Sequence, residues 1–172
     1  MVMVKWLLLL VLGLIARDAF AQFGSVHIGV NGLTCSQCTR NVEMRLRRLG
    51  FIEGVQMNLQ HTDGIIRLKD AAVFDPAAIA KAVKDAGFSL RFLKADLNTA
   101  GIVAKEKSCF SVKGKSYQLI PSGKALPSQT TLQFIGPDFL PATELKRWRA
   151  EMVKRCRIQG QTYFVTSVNN AG

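Results

Sequence analysis

The apolar residues between positions 22 and 96 switch repeatedly between two spacings, and this pattern restricts how the first half of the chain folds. Strict alternation, which is typical of a strand with one buried face, occurs at residues 26–30, 55–59, 66–68 and 88–92. Helical spacing occurs twice, at Cys38, Val42, Leu46 and Leu49, and again at Ile79, Ala82, Val83 and Ala86. The order is βαββαβ, which predicts a split βαβ sandwich with both helices on one face of an antiparallel sheet.

Turn and cap residues separate these segments. Asp75 followed by Pro76 predicts the start of the second helix, with Asp75 as N-cap and Pro76 in the first helical position. Gly50 and Gly87 are placed to end the two helices. The sequence His61-Thr62-Asp63-Gly64 predicts a hairpin turn through its Asp-Gly pair.

The second half is less regular, and a linker at Asp96–Gly101 is predicted to divide it from the first. Residues 22–96 form one predicted domain and residues 97–172 a second, basic module. Strand composition occurs at residues 108–119 (broken by a turn at Lys113-Gly114-Lys115), 130–135 and 163–168. Thr143 is predicted to cap a helix with the apolar stripe Leu145, Trp148, Met152 and Cys156. These elements predict a small mixed α+β or β-barrel-like module.

The N-terminus has the pattern of a signal peptide. Lys5 is followed by the uncharged residues 6–15, and Ala19-Phe20-Ala21 matches the small-x-small sequence before a cleavage site. An uncleaved anchor needs a longer segment, because ten residues of helix span only about 15 Å, half of a bilayer core. We expect residues 1–21 to be removed and the mature chain to begin at Gln22 outside the cytoplasm, in the periplasm.

The charge is high and unevenly distributed. The formal net charge is +11, while 48% hydrophobic and 20% charged residues exclude a disordered chain. Residues 22–97 hold ten Lys and Arg against seven Asp and Glu, whereas residues 98–172 hold eleven against four. Export removes cytosolic nucleic acid as a partner, and Trp148, within the basic run at 146–149, lies on an apolar stripe. The charge therefore predicts an anionic envelope surface or an acidic partner for the second module, and no nucleic acid.

The cysteines Cys35 and Cys38 lie between the first predicted strand and helix. A helix N-terminus favours the thiolate form, and two thiolates at this spacing can hold one soft ion such as Cu(I) or Hg(II). Gly32 allows a sharp turn before them, and Thr34 is placed to cap free N–H groups. Taken alone, the Cys-x-x-Cys pattern also fits a redox pair, a structural disulfide or half of a zinc site.

The loop Gly32-Leu33-Thr34-Cys35-Ser36-Gln37-Cys38 resembles the Gly-Met-Thr-Cys-x-x-Cys loop of the heavy-metal-associated (HMA) domain family. The similarity extends over roughly residues 24–95 and includes Asp85-Ala86-Gly87-Phe88 at the end of the second helix. It implies a ferredoxin-like fold with the soft metal on Cys35 and Cys38. It also implies that Phe88 closes over the metal loop, and that Leu33 takes the place of a methionine that packs beneath it.

Together these observations predict an exported protein without catalytic activity that binds one soft ion, with Cu(I) favoured over Hg(II). Cys35 and Cys38 would scavenge the ion or pass it by thiolate exchange to a metal transporter or another metal-binding protein. Two alternatives stay open at this point. One is a thiol–disulfide oxidoreductase that uses the same two cysteines. The other is a structural envelope protein in which the HMA domain is only a scaffold.

The other two cysteines, Cys109 and Cys156, have no local cysteine partner and stand 47 residues apart. An oxidising compartment favours a disulfide between them, and a second metal site is the alternative. His27 on the polar face of a strand and His61 in a turn are predicted to face solvent. Met57 is predicted to lie in the core.

Overall fold

The chain was analysed as a computed structural model that describes residues 22–100, 102, 108–121, 126–153, 156 and 161–168. The predicted signal peptide, residues 1–21, lies outside the described residues. Within the described part, no helix combines the length and the apolar character needed to cross a membrane.

The described residues form an α+β fold of eight strands, three α-helices and one 3₁₀ helix. In chain order the elements are β1 (Gln22–Asn31), α1 (Ser36–Arg47), β2 (Ile52–Asn58), β3 (Asp63–Leu68), α2 (Pro76–Asp85), β4 (Ser89–Asn98), β5 (Cys109–Val112), β6 (Lys115–Leu119), β7 (Gln129–Ile135), α3 (Ala142–Leu145), the 3₁₀ helix (Lys146–Trp148) and β8 (Thr162–Val168). The first six elements confirm the predicted βαββαβ order and its ferredoxin-like fold.

All eight strands belong to one sheet, in the order β2-β3-β1-β4-β7-β8-β6-β5. The β6–β8 pair is parallel and the other pairs are antiparallel. The first half supplies the four strands on one side, and the second half adds its four strands beside β4. Of the two folds predicted for the second half, the mixed α+β fold is confirmed. Its strands extend the sheet of the first half and do not form a barrel.

Helices α1 and α2 cover one face of the sheet because each has an apolar stripe that is removed from water. Val42 and Leu46 of α1 and Ile79 and Val83 of α2 have no exposed surface. The start of α2 is confirmed at Pro76: Asp75 is the N-cap, and its carboxylate accepts hydrogen bonds from the N–H groups of Ala77 and Ala78 at 3.1 and 3.3 Å. Such a cap stabilises a helix by about 1 kcal/mol.

The first three residues of the predicted linker, Asp96–Asn98, are part of strand β4, and Gly101 lies outside the described residues. Asp96 and Leu97 lie in β4, where Leu97 pairs with Thr130 of β7. The Thr131 hydroxyl donates a 2.7 Å hydrogen bond to Asp96 Oδ1, which links the same two strands through side chains. A β4 strand at the rim of the sheet would leave its backbone groups unpaired, and β7 satisfies them.

The two halves also share a cluster of aromatic side chains on the helix-covered face. Phe74, from the loop before α2, lies 5.8 Å from Phe134 of β7 between ring centroids. Phe23 of β1 lies 4.8 Å from Phe74 and 5.4 Å from Tyr117 of β6. All of these rings are at most 5% exposed. One hydrophobic core therefore extends across both halves.

The predicted turn at His61-Thr62-Asp63-Gly64 is displaced toward the N-terminus. Strand β2 ends at Asn58, and β3 already begins at Asp63, so Gly64 pairs with Met57 inside the ladder. The left-handed residue is Thr62, with φ of 52°. Gly64 is required by close packing and not by a turn, because a Cβ there would overlap the sulfur of Met57.

The predicted helix from Thr143 is also wrong in its extent. The N-cap is Pro141, the α-helical part ends at Leu145, and the chain continues as a 3₁₀ turn. Pro141 provides no side-chain cap, and isolated helices of this length are marginal. Three residues of the predicted stripe, Leu145, Trp148 and Met152, pack against a small buried cluster of Ile120, Ile135 and Leu140, together with Phe92 and Phe164. The fourth, Cys156, is instead bonded to Cys109. Since Phe92 follows strand alternation with the core residue Leu93, this cluster lies on the face opposite α1 and α2.

Candidate metal centre

The Cys-x-x-Cys loop begins with a sharp change of direction at the end of β1. Gly32 adopts φ of +85°, a left-handed conformation that side chains disfavour. Leu33 then turns into the core and is 4% exposed. The next residues, Thr34 and Cys35, are exposed. Leu33 thus fixes the loop from below, while Cys35 faces solvent and Cys38 is half-buried against the core.

The two cysteines occupy the first turn of α1. Cys35 is the N-cap, with an extended φ of −145°, and its sulfur accepts a 3.1 Å hydrogen bond from the Cys38 N–H group. The two Cα atoms are 5.2 Å apart, and the sulfurs are joined as a disulfide, called here the loop disulfide. Thr34 was predicted as the cap, which is wrong because α1 begins at Ser36 and the residue directly before it is Cys35.

Phe88 lies beside the metal loop. The chain leaves α2 through Gly87, with φ of +91°, and the Phe88 N–H donates to the Val83 carbonyl at 3.2 Å. A Cβ on Gly32 would lie 3.6 Å from the ring of Phe88. The aromatic ring therefore packs against the turn that leads to the cysteines.

The turn between β2 and β3 lies next to this loop. The N–H group of Val30 donates to the Thr62 carbonyl at 2.9 Å. The Arg91 guanidinium donates to the carbonyl of His61 at 3.0 Å and to the Thr62 hydroxyl at 3.4 Å. The metal loop, the β2–β3 turn and Phe88 consequently share one end of the sheet. His61 is exposed, as predicted.

The remaining predicted residues lie in other parts of the sheet. His27 is partly exposed on β1, with Nε2 3.5 Å from Asp96 Oδ2. Met57 is half-buried and packs against the core. Among the described residues, no three His, Cys, Asp or Glu side chains come together in a way that could hold a metal ion. Within that part of the chain Cys35 and Cys38 are a two-sulfur site.

Cys109 and Cys156 are joined by a second disulfide, called here the buried disulfide. Their Cα atoms are 5.8 Å apart, and the residues are 3% and 4% exposed. The bond ties the edge strand β5 to the segment that follows the 3₁₀ helix. The two cysteine pairs differ in their access to solvent, because Cys35 is exposed and Cys38 half-buried.

Two contacts that support the site were not predicted from the sequence. Asn41 of α1 donates a 3.3 Å hydrogen bond to the Ala86 carbonyl, just before the Gly87-Phe88 turn. Thr39 binds the carbonyl of Cys35 through both its N–H and its hydroxyl. The position of Thr39 four residues after the N-cap is a local signal that sequence reasoning could have used. The Asn41 contact joins residues 45 positions apart and has no such signal.

Comparisons with known proteins identify relatives of part of the chain, although no family model matches it. Copper-transporting ATPase 1 of Rhizobium meliloti (strain 1021) is 38% identical over 74 residues, which are 43% of this chain and 9% of the ATPase. Cation-transporting ATPase HMA5 of Oryza sativa subsp. japonica is 33% identical over 70 residues, which are 41% of this chain and 7% of that protein. The match thus spans less than a tenth of either curated relative.

Solved structures are similar over the same share of the chain. The apo-form N-terminal domain of ZntA is 27% identical, covers 41% of this chain and 92% of its own, and has a TM-score of 0.36. The CopZ metallochaperone is 21% identical, covers 38% and 97%, and also has a TM-score of 0.36.

The first half is a βαββαβ unit with a cysteine pair at the start of its first helix, one cysteine exposed and the other half-buried. The loop sequence around Cys35 and Cys38, the fold of the first half and the identity with the ATPase segments assign that half to one family. The first half of the chain is a heavy-metal-associated domain.

Proposed function

We propose that this chain is a metal carrier that binds one soft ion between Cys35 and Cys38, with Cu(I) as the favoured cargo and Hg(II) as the alternative. The observation that carries the proposal is the geometry of the pair: two adjoining sulfurs at the exposed N-terminus of α1, with no third protein ligand nearby in the described part of the chain. Soft thiolate ligands select Cu(I), whereas structural zinc takes four ligands. The ATPase segments that match this chain are named for copper and cation transport.

The ion is cargo, and its binding requires the loop disulfide to be opened. A dithiol donor supplies two electrons and two protons, which yields two thiols, and both lose their protons when the metal binds. The N–H group of Cys38 points at the Cys35 sulfur and stabilises negative charge there. Leu33 and Phe88 hold the loop, so that the two ligands keep their spacing without the disulfide.

Exposure of Cys35 permits transfer by ligand exchange. An incoming thiolate from a metal transporter or another metal-binding protein adds to the ion as a third ligand, and one cysteine of this chain then leaves. Such a step needs no catalytic residue in this chain. We further propose that the carrier works outside the cytoplasm, in the periplasm, on the strength of the signal-peptide pattern in residues 1–21.

A titration of the reduced protein tests the proposal. Anaerobic protein beginning at Gln22 is titrated with Cu(I), Hg(II) and Zn(II) against a competing chelator. We expect one soft ion per chain and at least a hundredfold loss of affinity in Cys35→Ser/Cys38→Ser. The matched control is Cys109→Ser/Cys156→Ser, which removes the same number of sulfurs and should keep the stoichiometry if circular dichroism shows it folded. Equal Cu(I) binding by both double variants contradicts the proposal.

A thiol–disulfide oxidoreductase is the second candidate, favoured by the exposed loop disulfide at a helix N-terminus. It predicts catalytic turnover in a disulfide-reduction assay that Cys35→Ser abolishes. The carrier predicts only a stoichiometric reaction with the reductant. In a scaffold with no role for the pair, the double Ser variant would retain full activity in cells challenged with copper.

A further inference from the structure

The outer surface of α1 and α2 is the most basic part of the first half. This surface, called here the helix face, carries the charged residues of α1, of its C-cap and of α2: Arg40, Glu43, Arg45, Arg47, Arg48, Lys81, Lys84 and Asp85. Six basic residues against two acidic ones give it a net charge of +4. Residues 22–96 as a whole are only +3, so the rest of this half is slightly acidic. A count along the sequence conceals this separation of charge.

Both acidic residues of the helix face are already paired. Glu43 binds Arg47 at 2.6 Å, and Asp85 binds Lys81 at 2.6 Å. The hydrogen bond from Lys81 holds the pKa of Asp85 below its usual value, and the charges of Arg45 and Lys84 act in the same direction. Arg40, Arg48 and Lys84 form no ion pair among the described residues. The face therefore presents uncompensated positive charge to solvent.

An exposed apolar side chain lies among these cations. Arg40, Met44 and Arg48 are four residues apart, so they form a stripe along one side of α1. Met44 is 47% exposed, while Val42 and Leu46 of the same helix are fully buried in the core. The arginines on either side of Met44, Arg40 and Arg48, can bury their apolar stems in a lipid headgroup layer while their charged ends stay in water. The stripe begins two residues after Cys38.

We propose that the helix face docks this protein onto an anionic phospholipid bilayer. Hot spots of specific protein interfaces are enriched in Trp, Tyr and Arg that fill pockets of the partner. Neither α1 nor α2 contains an aromatic residue, so the helix face offers charge without a large anchor. A bilayer demands only a surface with free cations, and each basic residue near it strengthens binding about fivefold.

Docking in this orientation places the start of α1, and with it Cys35 and Cys38, beside the membrane plane. That position suits exchange with a protein embedded in the bilayer, and this role rests on the proposed metal-carrier function. The docking itself depends on neither the metal nor the state of the loop disulfide.

Vesicle binding tests the proposal. Protein beginning at Gln22 is sedimented with vesicles of phosphatidylcholine alone or with 30 mol% phosphatidylglycerol, at low and high NaCl. We expect binding that requires the anionic lipid and is lost at high salt. Arg40→Glu/Arg48→Glu should weaken it about twentyfold or more. The matched control Arg67→Glu/Lys94→Glu makes the same change in net charge on the opposite face of the sheet and should bind like the wild type.

The outcomes separate this proposal from the metal-carrier function. Equal losses in the two charge-reversal variants mean that bulk charge alone drives binding, and the assignment to the helix face is then wrong. Binding to neither vesicle type overturns the proposal, and an acidic protein would then be the candidate partner of the helix face. The variant Cys35→Ser/Cys38→Ser should bind vesicles normally, and Arg40→Glu/Arg48→Glu should still bind one Cu(I). Failure of either proposal is thus visible without the other.

Discussion

Replacing Phe134 by alanine removes a ring from the centre of the aromatic cluster that joins the two halves. Phe134 belongs to β7 in the second half and has no exposed surface. Its ring lies 5.8 Å from Phe74 in the first half, and 5.6 and 6.1 Å from Phe139 and Tyr163 in the second. The cavity left by the substitution therefore borders both halves.

The size of the effect follows from complete burial. Phe→Ala in a packed core costs about 3–5 kcal/mol, a large fraction of the 5–15 kcal/mol that stabilises a typical domain. For a chain of this length, each kcal/mol lowers Tm by about 2–4 °C, so we expect Tm to fall by about 10 °C. Val73→Ala is the matched control, because Val73 is 50% exposed and its loss should change the free energy of unfolding by less than about 0.5 kcal/mol.

Two probes decide whether the destabilisation is shared. Urea unfolding followed by the fluorescence of Trp148 reports on the second half, in protein beginning at Gln22. Amide hydrogen exchange in β2 and β3 reports on the first half. If the core is shared, Phe134→Ala lowers the urea midpoint and speeds amide exchange in β2 and β3. The loss in free energy of unfolding calculated from each measurement should then be the same. Wild-type exchange in those strands together with a destabilised second half would refute the single core.

Three further perturbations have definite outcomes. Gly32→Ala forces a side chain into φ of +85° and should lower the free energy of unfolding by about 1 kcal/mol or more in urea melts. Gly50→Ala, where a Cβ meets open space, should leave it unchanged, and equal effects of the two substitutions would contradict the strained turn. Burial, and then the charge of Asp75, raises the pKa of Tyr163 from 10.0 to about 12, so stability is full below pH 10 and falls as pH rises toward 12. Tyr163→Phe should flatten that decline, and an unchanged pH profile would refute it. Mild dithiothreitol should reduce the loop disulfide before the buried disulfide, so alkylation followed by mass spectrometry should find Cys35 and Cys38 labelled first. The reverse order would contradict the difference in burial.

The first half is predictable from sequence because its signals are local. Two apolar periods, the Asp75-Pro76 start and the loop around Cys35 each depend on residues within one or two turns of one another. The errors there concern short-range competition. Asp63-Gly64 was a good turn signal, but the ladder with β2 extends to Asn58 and draws both residues into β3. The N-cap of α1 is Cys35, and cysteine is outside the usual set of N-cap residues.

The second half could not be assembled in this way because its position depends on pairing between distant segments. Nothing near Asp96 in the sequence indicates that β7 will lie beside β4, and turn-like residues at 97–101 favour a linker instead. The short helix at Ala142 illustrates the same point. Its apolar spacing was correctly identified, yet that spacing reports only which side chains face inward, and not how long the backbone stays helical.

The order of strands in the sheet has a consequence for how the chain assembles as it emerges. β8 is the last of the eight strands along the chain, but it lies between β7 and β6, in the interior of the second half. Among the described strands, the β5–β6 hairpin is paired with the rest of the sheet only through β8. The hairpin can therefore join the sheet only once β8 lies between β6 and β7, so a truncation before Thr162 should leave β5 and β6 unpaired with the rest of the sheet.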